Sequence, residues 1–309
     1  MTRGETRRHL PFIGGLVVAI AAGAMLVMLG DEYAVGVGLT LVMWIALVQS
    51  WAAFSGLSGY ISLGHAVFYG VGAYVMVAGW QLLPIWVAVI AAGLAAGAIA
   101  LLLGWPSLRV RGPYFVILTF GLAEFVKYIV VSIEAALGRN GRLLIGTPSL
   151  RELFVAMLGL AVLSTASLYA LRRSRLGTGL IAIREDEIAA EAVGVNTART
   201  KLVIFSLSAI IPGMVGALMS LRFTYFEPMQ SFSPVTSFTI VTIAVLGGSD
   251  DVPGPLLGAA FLVALSELLW ARAPELYMII LGVLLVGFVL FAPEGIYGKF
   301  RYWGRGGAR

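Results

Sequence analysis

Cysteine is missing from this chain, and histidine and charged residues are scarce. Without cysteine, the chain can form neither disulfide bonds nor thiolate metal sites. The two histidines, His9 and His65, are too few and too far apart in sequence to indicate a metal centre, so we expect no bound metal. Lys, Arg, Asp and Glu supply 12% of the residues, against roughly 25% in soluble domains. Such a chain lacks the polar surface that a soluble protein of this size needs.

Apolar residues are abundant instead, at 60% of the 309 residues, and they form long runs. A helix that crosses a bilayer needs about 20 apolar residues, and lipid contains no water to satisfy an open backbone. We therefore predict an all-α polytopic membrane protein in which residues 1–309 form a single transmembrane domain. The ten predicted segments comprise residues 11–29, 34–54, 61–79, 85–104, 114–135, 153–171, 202–221, 235–248, 255–271 and 276–292.

Glycine-rich sequence interrupts two of these segments. Segment 61–79 begins inside "GLSGYISLGHAVFYGVGAY", and segment 235–248 ends in "LGGSDDVPGP". A backbone that leaves the helix at such a point must line protein or a water-filled cavity. We predict that both segments are broken or re-entrant helices. Because they fall in opposite halves of the chain, the two halves look like counterparts of an internal repeat.

Two interpretations of these glycine-rich stretches stay open. Small residues let helix backbones pack closely in lipid, and transporters tend to place substrate at paired helix interruptions. Close packing is the favoured interpretation, and His65 is expected to be a hydrogen-bonded core residue rather than a proton relay. The candidate residues for packing or for the translocation path are Ser62, Gly64, His65, Gly70, Gly72, Gly247, Gly248 and Gly254.

Two opposite charges lie inside a predicted span, in "FGLAEFVKY". Glu124 and Lys127 are three residues apart, which places them on one helix face and close enough to pair. Unpaired, either charge would cost about 2.5 kcal/mol or more at the centre of a bilayer. The pair is either a structural link that holds helices in register or part of the translocation path or gate. Since no nucleophile and base, and no two carboxylates, have catalytic spacing, we do not expect an enzyme.

The distribution of Lys and Arg predicts the orientation in the membrane. Three lie in the N-terminal tail, two in loop 105–113, six in residues 172–201 and four in the C-terminal tail, whereas the opposite loops carry five in all. Cytoplasmic loops are enriched in these residues. We therefore expect a multi-pass protein of the inner (cytoplasmic) membrane with both termini in the cytoplasm. The basic, aromatic C-terminal tail suits the membrane interface rather than nucleic acid.

The loop formed by residues 172–200 is much longer than a connection between two spans needs to be. Its sequence "IREDEIAAEAVG" predicts a short amphipathic cytoplasmic helix near 185–194, with acidic residues at its start and a terminating glycine. A solvated helix without a partner and a docking site for another subunit both fit this pattern. The docking interpretation assigns contact with an ATPase to Arg184, Glu185, Asp186, Glu187, Ala189, Ala190 and Gly194.

Four motifs, in order along about residues 40–296, resemble the permeases of branched-chain amino acid ABC importers. They are "SGYISLGHAVFYGVGAY", "VRGPYFVILTFGLAEFVKY", "RSRLGTGLIAIREDEIAAEAVGVNTARTKLVIFSLSAIIPGMVGAL" and "VLGGSDDVPGPLLGAA". The segment "AIREDEIAAEAVGVN" makes the likeness closer to the LivM-type subunit than to its LivH-type partner. These motifs span most of the chain, so the resemblance concerns the whole transmembrane domain.

The 172–200 loop also resembles the "EAA" loop of ABC importer permeases. Ala189, Ala190 and Gly194 match its spacing, although Ile188 stands where the family has its glutamate. In that family the loop forms a coupling helix that sits in a groove of the ATP-hydrolysing subunit. The chain departs from the permease pattern elsewhere too, at Pro212 and at the acidic pair within "LGGSDDVPGP".

The resemblance implies a membrane permease subunit of an ATP-driven importer of Leu, Ile and Val, which passes substrate from an extracytoplasmic binding protein to the cytoplasm. It also implies a second, LivH-like permease subunit and two ATP-binding cassette ATPases as partners. The chain has no P-loop, so ATP and Mg²⁺ are expected to be bound by the ATPases, and this chain is expected to hold no cofactor. Two alternatives stay open: a urea, amide or aromatic-acid permease of the same superfamily, and an ion-coupled secondary transporter that uses Glu124 and Lys127.

Overall fold

Almost all of the regular structure is helical. The computed structural model describes residues 3–138 and 141–270, together with residues 279–280, 282–283, 286–287 and 295–298. Within the two long ranges, the helices are α1 Arg3–Leu29, α2 Glu32–Trp51, a π-helix Ala52–Gly56 that continues α2, α3 His65–Ala78, α4 Ile85–Ser107, α5 Pro113–Ala136, α6 Leu150–Arg173, α7 Arg175–Glu185, α8 Glu187–Ala192, α9 Thr197–Ser220, α10 Pro228–Ser231, α11 Pro234–Gly247 and α12 Pro253–Trp270. Two-residue strands, β1 Arg142–Leu143 and β2 Tyr225–Phe226, pair antiparallel. The predicted all-α class is confirmed.

Seven of the described helical segments are long and apolar enough to cross a membrane, and α3 and α12 are shorter apolar helices. Helix α3 has 14 residues, so it is about 21 Å long at 1.5 Å per residue, whereas the hydrocarbon core of a bilayer is about 30 Å thick. The chain is a multi-pass membrane protein, as predicted. The tenth predicted segment, 276–292, lies largely outside the described residues, so the number of spans stays a prediction.

The backbone is non-helical at both glycine-rich stretches. The first break, residues 59–64, separates the end of the π-helical region from α3, and the second break, residues 248–252, separates α11 from α12. Gly59 (φ +73°) and Gly248 (φ +90°) stand at the start of the two breaks in the left-handed region, which glycine adopts without the penalty that a Cβ imposes. The helices end at the predicted glycine-rich stretches, but that these segments are broken or re-entrant, and that the two halves are repeats, stay predictions.

Backbone contact between helices organises the centre of the structure. Helix α9 packs against α3 and α4, and α2 packs against α6. Where α3 crosses α9, a Cβ on Gly72 would overlap the carbonyl oxygen of Gly213, and a Cβ on Gly216 would overlap that of Tyr69. Helices in lipid associate through close packing of small residues. The two glycine-bearing faces therefore set the distance between α3 and α9.

Polar caps divide the 172–200 loop into separate helices. Ser174, Asp186 and Asn196 cap the starts of α7, α8 and α9. Asp186 Oδ1 accepts hydrogen bonds from the backbone N–H groups of Ile188 (2.8 Å) and Ala189 (3.0 Å), which the first helical turn leaves without a partner. The short helix predicted near 185–194 is present as α8, and it is separate from α7 because Asp186, which follows the end of α7, also caps α8.

Candidate functional site

The short helix α8 exposes an apolar stripe. Ile188, Ala189, Ala192 and Val193 are all exposed, Ile188 by 70% and Val193 by 80%. Residues at positions i, i+1, i+4 and i+5 share one side of a helix. We call these four residues the α8 face. No other described part of the chain covers this surface, so it is open to contact with another protein.

Ala190 lies on the opposite side of α8 and is only 2% exposed. Its carbonyl oxygen accepts a hydrogen bond from the N–H of Val195 (3.0 Å), because Gly194 (φ +92°) lets the chain reverse after the helix. Ala189 is open to a partner as expected, but Ala190 is not, since α8 has six residues and rests on the protein with this side. Glu185, the last residue of α7, is also exposed.

Glu187, the first residue of α8, is partly buried in a polar cluster. Its carboxylate accepts hydrogen bonds from the Tyr60 hydroxyl and from Lys201 Nζ, both at 2.6 Å, and Arg111 Nε lies 3.3 Å away. Lys201 also donates to the Tyr60 hydroxyl oxygen (3.2 Å) and the Leu108 carbonyl (3.5 Å). We call Tyr60, Arg111, Glu187 and Lys201 the Glu187 cluster. Contrary to the sequence-based expectation, the Glu187 side chain is only 10% exposed and pairs inside the chain.

The contacts within the Glu187 cluster shift the pKa values of Glu187 and Tyr60. Burial alone would raise the pKa of Glu187, but the hydrogen bonds from Lys201 and Tyr60, together with the charge of Lys201, outweigh burial and lower this pKa. Burial and the hydrogen bond to Glu187 raise the pKa of Tyr60. The carboxylate therefore stays ionised at neutral pH, and the hydroxyl stays protonated and donates to it.

Arg184 joins the 172–200 loop to both helix breaks. Its Nη1 donates a hydrogen bond to the carbonyl oxygen of Gly56 (3.1 Å), where the π-helix ends, and pairs with Asp250 Oδ1 (2.6 Å) in the second break. Asp251 pairs with Arg172 near the end of α6. The acidic pair that departs from the family pattern thus supplies ion-pair partners to this loop.

His65 begins α3 inside a closed polar cluster. Its Nδ1 lies 3.3 Å from Ser62 Oγ, and both residues are 0% exposed. The Ser62 carbonyl accepts a hydrogen bond from Trp51 Nε1 (2.9 Å), and Ser237 Oγ of α11 donates to the Leu63 carbonyl (2.7 Å). This arrangement agrees with the expectation of a hydrogen-bonded core histidine. It also ties the first break to α2 and α11.

The predicted glycines stand at close helix contacts. A Cβ on Gly70 would lie 2.5 Å from an aromatic ring, and Cβ atoms on Gly72, Gly247 or Gly254 would overlap the backbone of a neighbouring segment. A Cβ on Gly64 would meet nothing closer than 3.5 Å. These contacts support the packing interpretation for Gly70, Gly72, Gly247 and Gly254. Their role in a translocation path stays a prediction.

The intramembrane charges pair as predicted. Lys127 Nζ contacts Glu124 Oε2 directly on α5, and Nζ also lies 5.0 Å from the ring centroid of Tyr128. Lys127 is buried and Glu124 is partly exposed. The pairing is confirmed, and the choice between a structural link and a gate stays open.

A cavity of about 1060 Å³ lies between α1, α2, α6 and α12. Apolar residues such as Leu26, Val42 and Leu158 line it, as do Arg172 and Arg173 at the end of α6. None of the predicted path residues is among its lining residues. This cavity therefore does not coincide with the path predicted from sequence.

Comparison with known proteins shows the family of this chain. The family described as the branched-chain amino acid transport system permease component matches residues 39–289. The chain belongs to this family. It is 31% identical to the high-affinity branched-chain amino acid transport system permease protein LivM of Salmonella typhimurium and 32% identical to that of Escherichia coli, in each case over 95% of this chain and 76% of the relative. It is 27% identical to LivH of Escherichia coli over 88% of this chain and 93% of the relative. No solved structure matches the chain.

The resemblance to the LivM type is confirmed, and the chain is a permease component with a transport role. Sequence reasoning missed the partners of Glu187 in this permease component. Tyr60 and Lys201 stand 127 and 14 residues away in sequence, and they look like a loop tyrosine and a loop cation. No spacing rule connects positions that only the fold brings together. Asp250 is different, because its departure from the family pattern is visible in the sequence and marks it as a residue to examine.

Proposed function

We propose that this permease component imports the branched-chain amino acids Leu, Ile and Val across the inner membrane, driven by ATP hydrolysis in two partner ATPases that bind ATP and Mg²⁺. A second, LivH-like permease completes the pathway, and an extracytoplasmic binding protein delivers the substrate. Similarity to LivM over 95% of the chain supports this proposal. In it, both termini, α7 and α8 face the cytoplasm, because the surplus of Lys and Arg lies on that side.

The α8 face is the observation that carries the proposal. A loop helix outside the spans gains nothing from exposing Ile188 and Val193 to water, whereas full burial of one such side chain contributes about 1.5–3 kcal/mol. Ala189 and Ala192 are small enough to let a partner approach the helix closely. We therefore assign the α8 face to a groove of the ATPase, with Glu185 and Asp186 at its edge.

The test is a bulky substitution on the α8 face. Ala189→Trp should block docking while leaving the permease at normal abundance, because Ala189 is exposed. The matched control is Ala198→Trp, since Ala198 is also exposed but belongs to the first turn of α9. Co-purification of the ATPases and uptake of labelled leucine should fall for the first variant and persist for the second. Ala190 is unsuitable for this test because it is buried.

Three results would contradict parts of the proposal. Normal uptake by Ala189→Trp with its ATPases still bound would show that the α8 face is not the docking surface. Competition for leucine uptake by urea, short amides or aromatic acids, without competition by isoleucine and valine, would reassign the substrate. Uptake that continues without the ATPases and follows an ion gradient would favour a secondary transporter.

A further inference from the structure

Side chains attach the α8 region to both helix breaks. Tyr60 belongs to the first break, and its hydroxyl donates to Glu187 at the start of α8 (2.6 Å). Arg184, just before α8, donates to the carbonyl of Gly56 (3.1 Å) and pairs with Asp250 of the second break (2.6 Å). One short stretch of the loop thus contacts the irregular backbone beside α3 and the irregular backbone beside α12.

The side chain of Tyr60 is tightly packed. The Tyr60 ring meets the ring of Phe115 edge to face, with centroids 5.3 Å apart, and Lys201 Nζ lies 4.7 Å from the centre of the Tyr60 ring. The stem of Arg184 covers the same break, because a Cβ on Gly59 would lie 3.1 Å from Arg184 Cγ. Tyr60 is therefore held by α5 and α9 on its ring and by α8 on its hydroxyl.

The two breaks are also segments whose backbone can rearrange when a neighbouring element moves. Residues 59–64 and 248–252 lack the continuous helical hydrogen bonds of their neighbours, and backbone outside a regular helix opens and rearranges more easily. The first break is also tied to the helix that precedes the second break, because Ser237 of α11 donates to the carbonyl of Leu63 (2.7 Å). A displacement at α8 can thus reach α3, α11 and α12 together.

We propose that Tyr60 and Arg184 are positioning residues that pass movement of α8 to the two helix breaks. This inference rests on the proposed function, because a docked ATPase is what moves α8. Closure of the ATPases displaces α8, the Tyr60–Glu187 hydrogen bond carries the first break with it, and Arg184 carries the second. Without these links, α8 moves with the ATPase but the movement does not reach the membrane-spanning helices.

Tyr60→Phe is the variant that separates coupling from folding. It removes one hydroxyl and keeps the ring that packs on Phe115. Glu187 and Lys201 remain paired (2.6 Å), so no buried charge loses its partner, which is the usual cause of severe destabilisation. The matched control is Tyr114→Phe. This substitution also removes one tyrosine hydroxyl, but at a site that is 73% exposed, in the first turn of α5.

The experiment measures substrate transported per ATP hydrolysed. The complete complex, with both permeases and both ATPases, is reconstituted in liposomes with the binding protein enclosed on the extracytoplasmic side. In Tyr60→Phe, complex assembly and ATP hydrolysis should persist, while labelled leucine moved per ATP should fall about tenfold, the ratio set by losing one hydrogen bond to a charged group. Tyr114→Phe should keep the wild-type ratio.

An unchanged ratio in an intact Tyr60→Phe complex would overturn the inference and leave the cluster a purely structural one. If Tyr60→Phe lowers permease abundance, Arg184→Gln decides instead, compared with Arg199→Gln at an exposed position of α9. A ratio that falls only for Arg184→Gln supports the inference, and an equal ratio for both overturns it. Failure of the proposed function looks different, because the wild-type permease would then not retain the ATPases at all.

Discussion

Replacing Gly72 by alanine should separate α3 from α9. The added Cβ would overlap the carbonyl oxygen of Gly213, and that atom belongs to backbone rather than to a flexible side chain. A side chain could rotate away, but here one helix must move relative to the other. The reciprocal contact, in which Gly216 lies against the carbonyl of Tyr69, opposes that movement from the opposite side.

The expected magnitude comes from comparing this site with a glycine that has space around it. Overpacking of a tight core typically costs about 1–3 kcal/mol, and the backbone overlap puts Gly72→Ala at the upper end. Gly159 on α6 has nothing within 4 Å of an added Cβ, so Gly159→Ala should gain up to about 1 kcal/mol from better helix propensity. The two variants should therefore differ by about 2–4 kcal/mol.

Thermal unfolding of the purified permease in detergent measures this difference, with gel-filtration recovery after heating as the readout. Gly72→Ala should unfold at a clearly lower temperature than the wild type, and Gly159→Ala should match or exceed it. Leucine uptake should fall in parallel for Gly72→Ala. If the two alanine variants were equally stable and equally active, the close crossing of α3 and α9 would not be the contact that holds the helices together.

Two further predictions concern orientation and the intramembrane pair. Because the chain has no cysteine, Thr178→Cys on exposed α7 should react with a membrane-impermeant thiol reagent only after permeabilisation, whereas Leu82→Cys in the loop after α3 should react in intact cells; the reverse pattern would invert the topology. For Glu124 and Lys127, reversing both charges should restore much of the permease abundance and uptake that each single reversal loses, since the ion pair is kept. Losses that simply add in the double variant would show that the pair is not coupled.

Much of this architecture is accessible from the sequence because lipid imposes strict local rules. A span must be apolar over about 20 residues and helical, so nine of the ten predicted segments correspond to described helices, and the tenth lies largely outside the described residues. The two breaks are visible in advance because glycine clusters are the local cause of such interruptions. The i, i+3 spacing of Glu124 and Lys127 predicts their ion pair, because residues three apart are neighbours on a helix surface.

The 172–200 loop shows where local rules stop being sufficient. The composition of "IREDEIAAEAVG" indicates a helix with a glycine end, but it does not show that Asp186 divides the stretch by capping α8. Nor does it show which alanine faces outward, because that depends on the direction from which the rest of the protein contacts the helix. Ala189 and Ala190 are adjacent and chemically identical, yet one is exposed and the other is buried.

The sequence by itself determined the membrane class, the helical spans, the positions of the breaks and, through its motifs, the permease family. Only the tertiary structure decided the partners of the charged loop residues. Glu187 and Arg184 look like charges available to another subunit, but the fold brings Tyr60, Lys201 and Asp250 to them from distant points of the chain. A carboxylate shielded from water requires such partners. Which residues supply them depends on how the helices pack, which periodicity and composition do not specify.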